Sequence, residues 1–316
     1  MSIASNSGHI AEETKADLLK RFDGRMVADR PLADLVTFGI GGKAVLYAEV
    51  STAEELAEIV AAADDVGIPF FMLGGGSNVL VSENGYGGLV IHNSIKGMTA
   101  NDTNIEAGAG IDLQDMVDFA TEKELSGLEF AAGIYGTVGG AIFGNAGAYG
   151  SETGAILKSA ELVDRKGRIR TEPAEYFDFG YRSSILKRTG EFVTRAKFAL
   201  KMGKKELIRK RVDEILAHRA RKLPQNARTA GCFFKNIPDV KEEFGKLAAG
   251  KLLDEIGAKT MRFGDARVFE KHANIIINDG KASAEDVRRL AEILKAKVKE
   301  KFGIELQEEI TYLGEF

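Results

Sequence analysis

The residues best placed to do chemistry are three glycine clusters in the first half of the chain and one cysteine in the second. The clusters read Phe38-Gly39-Ile40-Gly41-Gly42-Lys43-Ala44, then Leu73-Gly74-Gly75-Gly76-Ser77-Asn78-Val79-Leu80, then Gly133-Ile134-Tyr135-Gly136-Thr137-Val138-Gly139-Gly140 running on to Gly150. Six glycines fall within the fifteen residues 136–150. Without a Cβ, glycine reaches left-handed backbone and lets main-chain N–H groups come close to a ligand. Successive N–H groups pointing inward form a concavity that suits phosphate. One such loop is as consistent with a tight turn as with a ligand, but three together point to a cofactor carrying a pyrophosphate. The string Gly39-x-Gly41-x-x-Ala44 matches the dinucleotide fingerprint, which must open a helix. Here residues 44–50 read as a strand, so a nucleotide fold of another kind is needed. No lysine-bearing phosphate loop and no His-Glu-x-x-His run occurs. Cys232 is the single cysteine, which excludes an internal disulfide and a cysteine-based zinc site.

The elements that must hold these loops are short and mixed. Helical apolar spacing marks 12–22, 52–63 and 112–124, with Ser51 or Thr52 able to cap the second and Glu54 or Glu55 to answer it. Strands are expected at 70–73, 89–91, 104–107 and 192–200, with a hairpin over 157–170 turning at Arg165-Lys166-Gly167. Beyond Leu200 the composition changes. Residues 201–222 hold nine Lys/Arg against three Asp/Glu, a net of +6, on an expected helix. Further helices are expected at 249–256 and 283–302, the latter with Ser283 and Asp286 as a capping box, and strands at 272–278 and 304–313. This is an α+β pattern and not a regular βαβ alternation. The basic helix reads as a solvated face, with weak steering of anions as the sharper option.

The chain has 316 residues, 44% hydrophobic and 28% charged, and a formal net charge of −4. It has apolar surface enough to fold and no basic excess that would favour nucleic acid. Glycine is abundant, 36 residues or about 11% against a usual 7% or so. No apolar run approaches the roughly 20 residues of a membrane-spanning helix, and the polar start shows no secretory signal pattern. A cytoplasmic protein without membrane insertion is therefore expected.

Seven blocks in order carry a family resemblance. They are Pro31-Leu32 with 37–42; 73–80; Asn145-Ala146-Gly147-Ala148-Tyr149-Gly150; Gly180-Tyr181-Arg182-Ser183-Ser184; Ala230-Gly231-Cys232-Phe233-Phe234-Lys235-Asn236; Glu270-Lys271-His272-Ala273-Asn274; and Glu305-Leu306-Gln307-Glu308-Glu309-Ile310. The chain resembles the UDP-N-acetylenolpyruvoylglucosamine reductases over nearly its whole length, and the shorter subclass that lacks an extra tyrosine-bearing loop. The resemblance implies an FAD-binding fold of the vanillyl-alcohol-oxidase (PCMH) type in two subdomains, plus a C-terminal α+β substrate domain. The expected division is a lead-in over 1–30, the FAD part over 31–201, the substrate part over 202–303, and a terminal strand over 304–316 returning to the active site.

The resemblance also implies roles. Gly74, Gly75, Gly76, Ser77 and Asn78 would take the FAD pyrophosphate, and Gly139, Gly140, Asn145, Ala146, Gly147 and Tyr149 the rest of the cofactor. Arg182 would polarise the substrate carboxylate, and Cys232, where the family most often has serine, would donate a proton. Glu309 would be the catalytic glutamate. Strand alternation makes Glu308 the odd polar group on an apolar face with Leu306 and Ile310, so Glu308 stays in reserve. Tyr181, Lys235, Asn236 and Lys271 would meet the substrate; His272 carries no assigned role. NADPH would serve as cosubstrate, a UDP-sugar enolpyruvyl ether as substrate, and a monomer is expected. Tyr135 stands where the family usually has proline, and 226–229 is atypical. The alternatives are a flavin oxidase of the same fold acting on another small substrate, and a thiol redox sensor built on Cys232.

Overall fold

The structure, a computed structural model of the chain, describes residues 10–224, 227–242 and 245–316. The polar start over 1–9 and Asn226 of the atypical stretch lie outside them. Strand Lys43–Val50 is apolar on both faces and sits inside a sheet, antiparallel to Met26–Pro31 and parallel to Tyr86–Asn93, which pairs in turn with Phe70–Leu73. It is the strand that follows the first glycine cluster, so the fingerprint string opens no helix. Helix Ala53–Asp65 covers one face, burying Leu56, Ile59 and Val60 against Leu46, Leu89 and Ile91. Thr52 is its cap: the hydroxyl accepts from the Glu55 amide at 3.1 Å, while the Glu55 carboxylate accepts from the Ser51 amide at 2.8 Å.

A second, wholly antiparallel sheet runs in the order Ile169–Pro173, Leu157–Val163, Phe192–Ala199, Asn104–Gly108, Met98–Asn101. Helices Leu113–Glu122 and Val138–Gly144 pack on it through Met116, Val117, Val138 and Ile142. The second of these was expected as open loop. Its glycines leave Val138, Ala141 and Ile142 to be buried, and the Thr137 hydroxyl caps it. Helix Lys205–Lys222 sinks Val212 and Ile215 into the same core. The composition changes near residue 201, but the packing unit changes only after residue 222, because the basic face of this helix is solvated while its apolar residues belong to the preceding sheet.

The third unit sets helices Ala249–Glu255 and Ala284–Phe302 on strands Ala266–Phe269 and His272–Asn278. Ser283 and Asp286 form the expected capping box. The terminal strand is much shorter than expected: Thr311–Leu313, parallel to Val79–Val81 of the first unit. Residues 304–310 lie outside any named strand but against the third unit, with Leu306 and Ile310 in its core and a bridge from Phe234 to Glu308. That stretch leaves one packing unit for another, so no single sheet can pair with all of it.

Candidate active site

The second glycine cluster connects Phe70–Leu73 to Val79–Val81, and the fold needs its lack of side chains. Gly76 lies at φ +62, and a Cβ there would stand 2.1 Å from the Leu35 carbonyl oxygen. Ser77 Oγ donates to the Tyr135 carbonyl at 2.9 Å, which joins this loop to the third cluster. That contact uses only the main-chain carbonyl of residue 135, so tyrosine in place of proline there leaves it intact. Among the described residues, no acceptor takes the amides of Gly75, Gly76, Ser77 or Asn78. Gly75 and Ser77 border a cleft of about 280 Å³ lined also by Thr37, Asp112, Gln114, Ile134 and Gly136. Four successive open amides beside a cleft fit the pyrophosphate of a dinucleotide.

The residues expected to line the rest of the cofactor have their own partners in the fold. The Gly139 amide donates to the Ala109 carbonyl at 2.8 Å and that of Gly140 to Thr137 Oγ1 at 3.4 Å, so neither is open. The Ala146 amide is likewise taken, by the Ala141 carbonyl at 2.8 Å. Asn145 is fully buried at φ +47; it donates from Nδ2 to the Gly180 carbonyl at 3.0 Å and accepts the Gly154 amide at 2.9 Å. Its amide supports the Arg182 turn. Gly147 pairs with Glu152 in a two-residue ladder, and its carbonyl accepts from Arg182 Nη1 at 3.1 Å. Tyr149 is exposed, its hydroxyl 2.9 Å from His218 Nδ1.

Arg182, Glu309 and Cys232 converge from three separate parts of the chain. Arg182 sits in a tight turn where Gly180 and Ser183 exchange both main-chain hydrogen bonds at 3.1 Å. Its Nε lies 2.7 Å from Glu309 Oε1, both side chains partly sheltered. This is an ion pair by distance, although the buried N–H is not aimed along the line to the oxygen. Segment 232–235 is laced between two neighbours. Cys232 bridges Ile275, Phe233 donates to Asn274 O at 2.8 Å and accepts from the Glu309 amide at 2.8 Å, and Lys235 donates to Gln307 O at 2.8 Å. Asn274 fixes the middle with two more bonds, to the Phe234 amide and carbonyl. Asn78 Nδ2 donates to Glu309 O at 3.1 Å, tying the glycine loop to the same stretch.

The alternation in 304–310 settles which glutamate faces this cluster. Leu306 and Ile310 are buried, and Glu308 on their side pairs with Lys295 at 3.2 Å. Glu309 points the other way, to Arg182.

Cys232 is exposed. Loss of hydration against the surrounding protein, and next the Glu309 carboxylate, push its thiol up to about 11 against a usual 9, with Arg182 and Arg219 opposing. The thiol therefore carries its proton at neutral pH. Burial raises Glu309, with Arg182, Lys187 and Lys235 opposing. Tyr181 accepts the Asn236 amide at 3.3 Å and lies under the Lys246 ammonium, 3.6 Å from the ring centroid. Asn236 Oδ1 accepts the Ala249 amide at 3.2 Å, starting helix Ala249–Glu255. Lys271 stands in an exposed turn before His272–Asn278, where its charge acts on the neighbouring Glu270 carboxylate. Lys187 and Lys246 were missed. Nothing in their local sequence marks them, and only the fold brings Lys187 to Arg182 and Lys246 to Tyr181. Among the described residues, no group of three or more His, Cys, Asp or Glu could hold a metal ion, and no helix is long and apolar enough to cross a membrane.

Comparison with known proteins places this geometry. Residues 223–313 match the family model described as UDP-N-acetylenolpyruvoylglucosamine reductase, C-terminal domain, and residues 44–172 match an FAD binding domain. The chain is 39% identical over 306 residues to the UDP-N-acetylenolpyruvoylglucosamine reductase of Caldanaerobacter subterraneus subsp. tengcongensis, covering 96% of this chain and 99% of that one. It is 40% identical over 305 residues to the Caldicellulosiruptor bescii protein of the same name, covering 94% of each. Among solved structures, the reductase from Thermus caldophilus aligns with a TM-score of 0.76 at 35% identity, covering 91% of this chain and 98% of that one. The α+β architecture is thus the expected FAD-binding fold of the vanillyl-alcohol-oxidase type with a C-terminal domain. Open amides for a pyrophosphate, an arginine–glutamate pair beside a thiol, and identity over nearly the full length agree, and the chain belongs to the UDP-N-acetylenolpyruvoylglucosamine reductase family.

Proposed function

We propose that this protein reduces UDP-N-acetylglucosamine enolpyruvate to UDP-N-acetylmuramate with NADPH, a step in making peptidoglycan precursors. Bound FAD would supply the hydride-transfer chemistry between NADPH and the enolpyruvyl substrate. The amides of Gly75, Gly76, Ser77 and Asn78 would hold its pyrophosphate. The observation that carries the reading is the Arg182–Glu309 pair, 2.7 Å apart, beside a protonated Cys232.

Adding hydride to an enolpyruvyl group places negative charge on the neighbouring carbon and its carboxylate. Arg182 stabilises that charge with its planar guanidinium fork. Glu309 orients the fork. Cys232 gives its proton to the carbon, so hydride and proton together saturate the double bond, and the thiolate left behind recovers a proton from solvent. Lys235, Asn236 and Tyr181, grouped on the same side, would hold the diphosphate and sugar, while Lys271 would meet the substrate only at the rim. We assign the activity to a monomer in the cytoplasm.

Replacing Cys232 with alanine tests the assignment. NADPH-dependent bleaching of the flavin should proceed near the wild-type rate, while substrate reduction falls about a hundredfold or more. Equal survival of both half-reactions would remove Cys232 from the mechanism. Fast reoxidation by oxygen in place of the enolpyruvyl compound would favour the flavin-oxidase alternative.

A further inference from the structure

The short helix Leu186–Thr189 offers a charged group that the reaction above leaves unused. Lys187 is half-buried, and its Nζ donates to the main-chain carbonyl of Arg182 at 2.7 Å. That carbonyl belongs to a residue at φ +53, left-handed backbone that arginine seldom adopts. Nothing in arginine favours this conformation, so its surroundings must impose it. Asn145 holds one end of the turn through the Gly180 carbonyl, and Ser184 Oγ anchors the other to the Phe143 carbonyl at 2.8 Å. Lys187 acts between them, on the arginine itself.

An ammonium is costly to shelter and is retained where it serves a partner. Burial, and then the Lys235 charge, pull the Lys187 amine below its usual range, while Glu309 opposes. We propose that Lys187 is a positioning residue that clamps the Arg182 carbonyl, keeping the guanidinium beside Glu309 and adding positive charge behind that carboxylate. The inference rests on Arg182 and Glu309 serving the substrate as proposed above. Around Glu309 stand Arg182 and Lys187 from one segment, Lys235 and Cys232 from another, and Tyr181.

The test compares Lys187→Met and Lys187→Arg in the flavin-loaded enzyme. For Lys187→Met, kcat with the enolpyruvyl substrate should fall about ten- to a hundredfold, the loss expected when a reacting group is displaced by an ångström or so. Flavin reduction by NADPH and the melting temperature should change little. The acid limb of kcat should move roughly half a unit to one unit towards higher pH, because Glu309, stripped of a neighbouring cation, holds its proton more tightly. Lys187→Arg should recover most of the rate and the original limb. Should Lys187→Met not fold, Lys187→Gln removes the charge alone, and the same upward movement of the limb is expected. An unmoved acid limb in whichever variant folds, or a kcat loss matched by melting and flavin loss, overturns the proposal. Full activity in Arg182→Met would instead sink the reading on which it rests, independently of Lys187.

Discussion

Replacing Gly76 with alanine would put a methyl group where the fold already has backbone. The new Cβ would lie 2.1 Å from the Leu35 carbonyl oxygen and 2.7 Å from Val36 Cα. Neither is the movable end of a side chain, and the same segment is fixed to the loop by the Thr37 amide donating to Gly76 O at 3.1 Å. Holding alanine in left-handed backbone costs about 1–2 kcal/mol. Overpacking adds about 1–3 kcal/mol, for roughly 2–5 kcal/mol in all. At about 2 °C per kcal/mol in a protein this large, melting should fall roughly 4–10 °C. The flavin is the more sensitive reporter, since the loop can relieve the clash only by moving its open amides out of register. Thermal scans by circular dichroism, together with flavin absorbance kept through gel filtration, measure both effects. Gly75→Ala is the control: its Cβ would meet Gly136 Cα at 3.3 Å, tight but in ordinary backbone, so a smaller loss is expected. A Gly76→Ala protein that melts with the wild type and stays fully yellow would refute the reasoning. So would Gly75→Ala proving the worse of the two.

Glu309→Gln should lower kcat about a hundredfold, the scale of losing one aligned charge contact, whereas Glu308→Gln should stay within about twofold because Glu308 serves Lys295. Steady-state rates decide, and equal losses would mean that the two faces of 304–310 are misread. The Cys232 thiol, pushed up to about 11, should react with iodoacetamide slowly at neutral pH. Its alkylation rate, followed by mass spectrometry, should still be climbing above pH 9. A plateau reached by pH 9 would show a thiol that the site does not hold protonated.

Much of this protein is written locally. The apolar spacing of 53–65 and 284–302, with Thr52 and Ser283 as caps, is enough to define two helices, because a cap and a stripe act within one turn of the chain. Ordered blocks mark Arg182, Cys232 and Glu309, which the fold brings together, and alternation in 304–310 separates the environments of Glu308 and Glu309. Local signals failed where distant partners decide. The glycines of 138–144 became a helix because Val138 and Ile142 found the second sheet. Asn145 holds the Gly180 carbonyl, 35 positions away, which local signals do not mark. The terminal strand shrank to Thr311–Leu313 because only there does it reach Val79–Val81. Lys187 gained its place from the left-handed turn of Arg182. The sequence by itself determined which side chains can carry charge, hydrogen bonds and a labile proton, and which stretches coil or extend. Only the tertiary structure decided which of them face each other, since hydrogen bonds and ion pairs between residues a hundred positions apart exist only once separate cores have packed together.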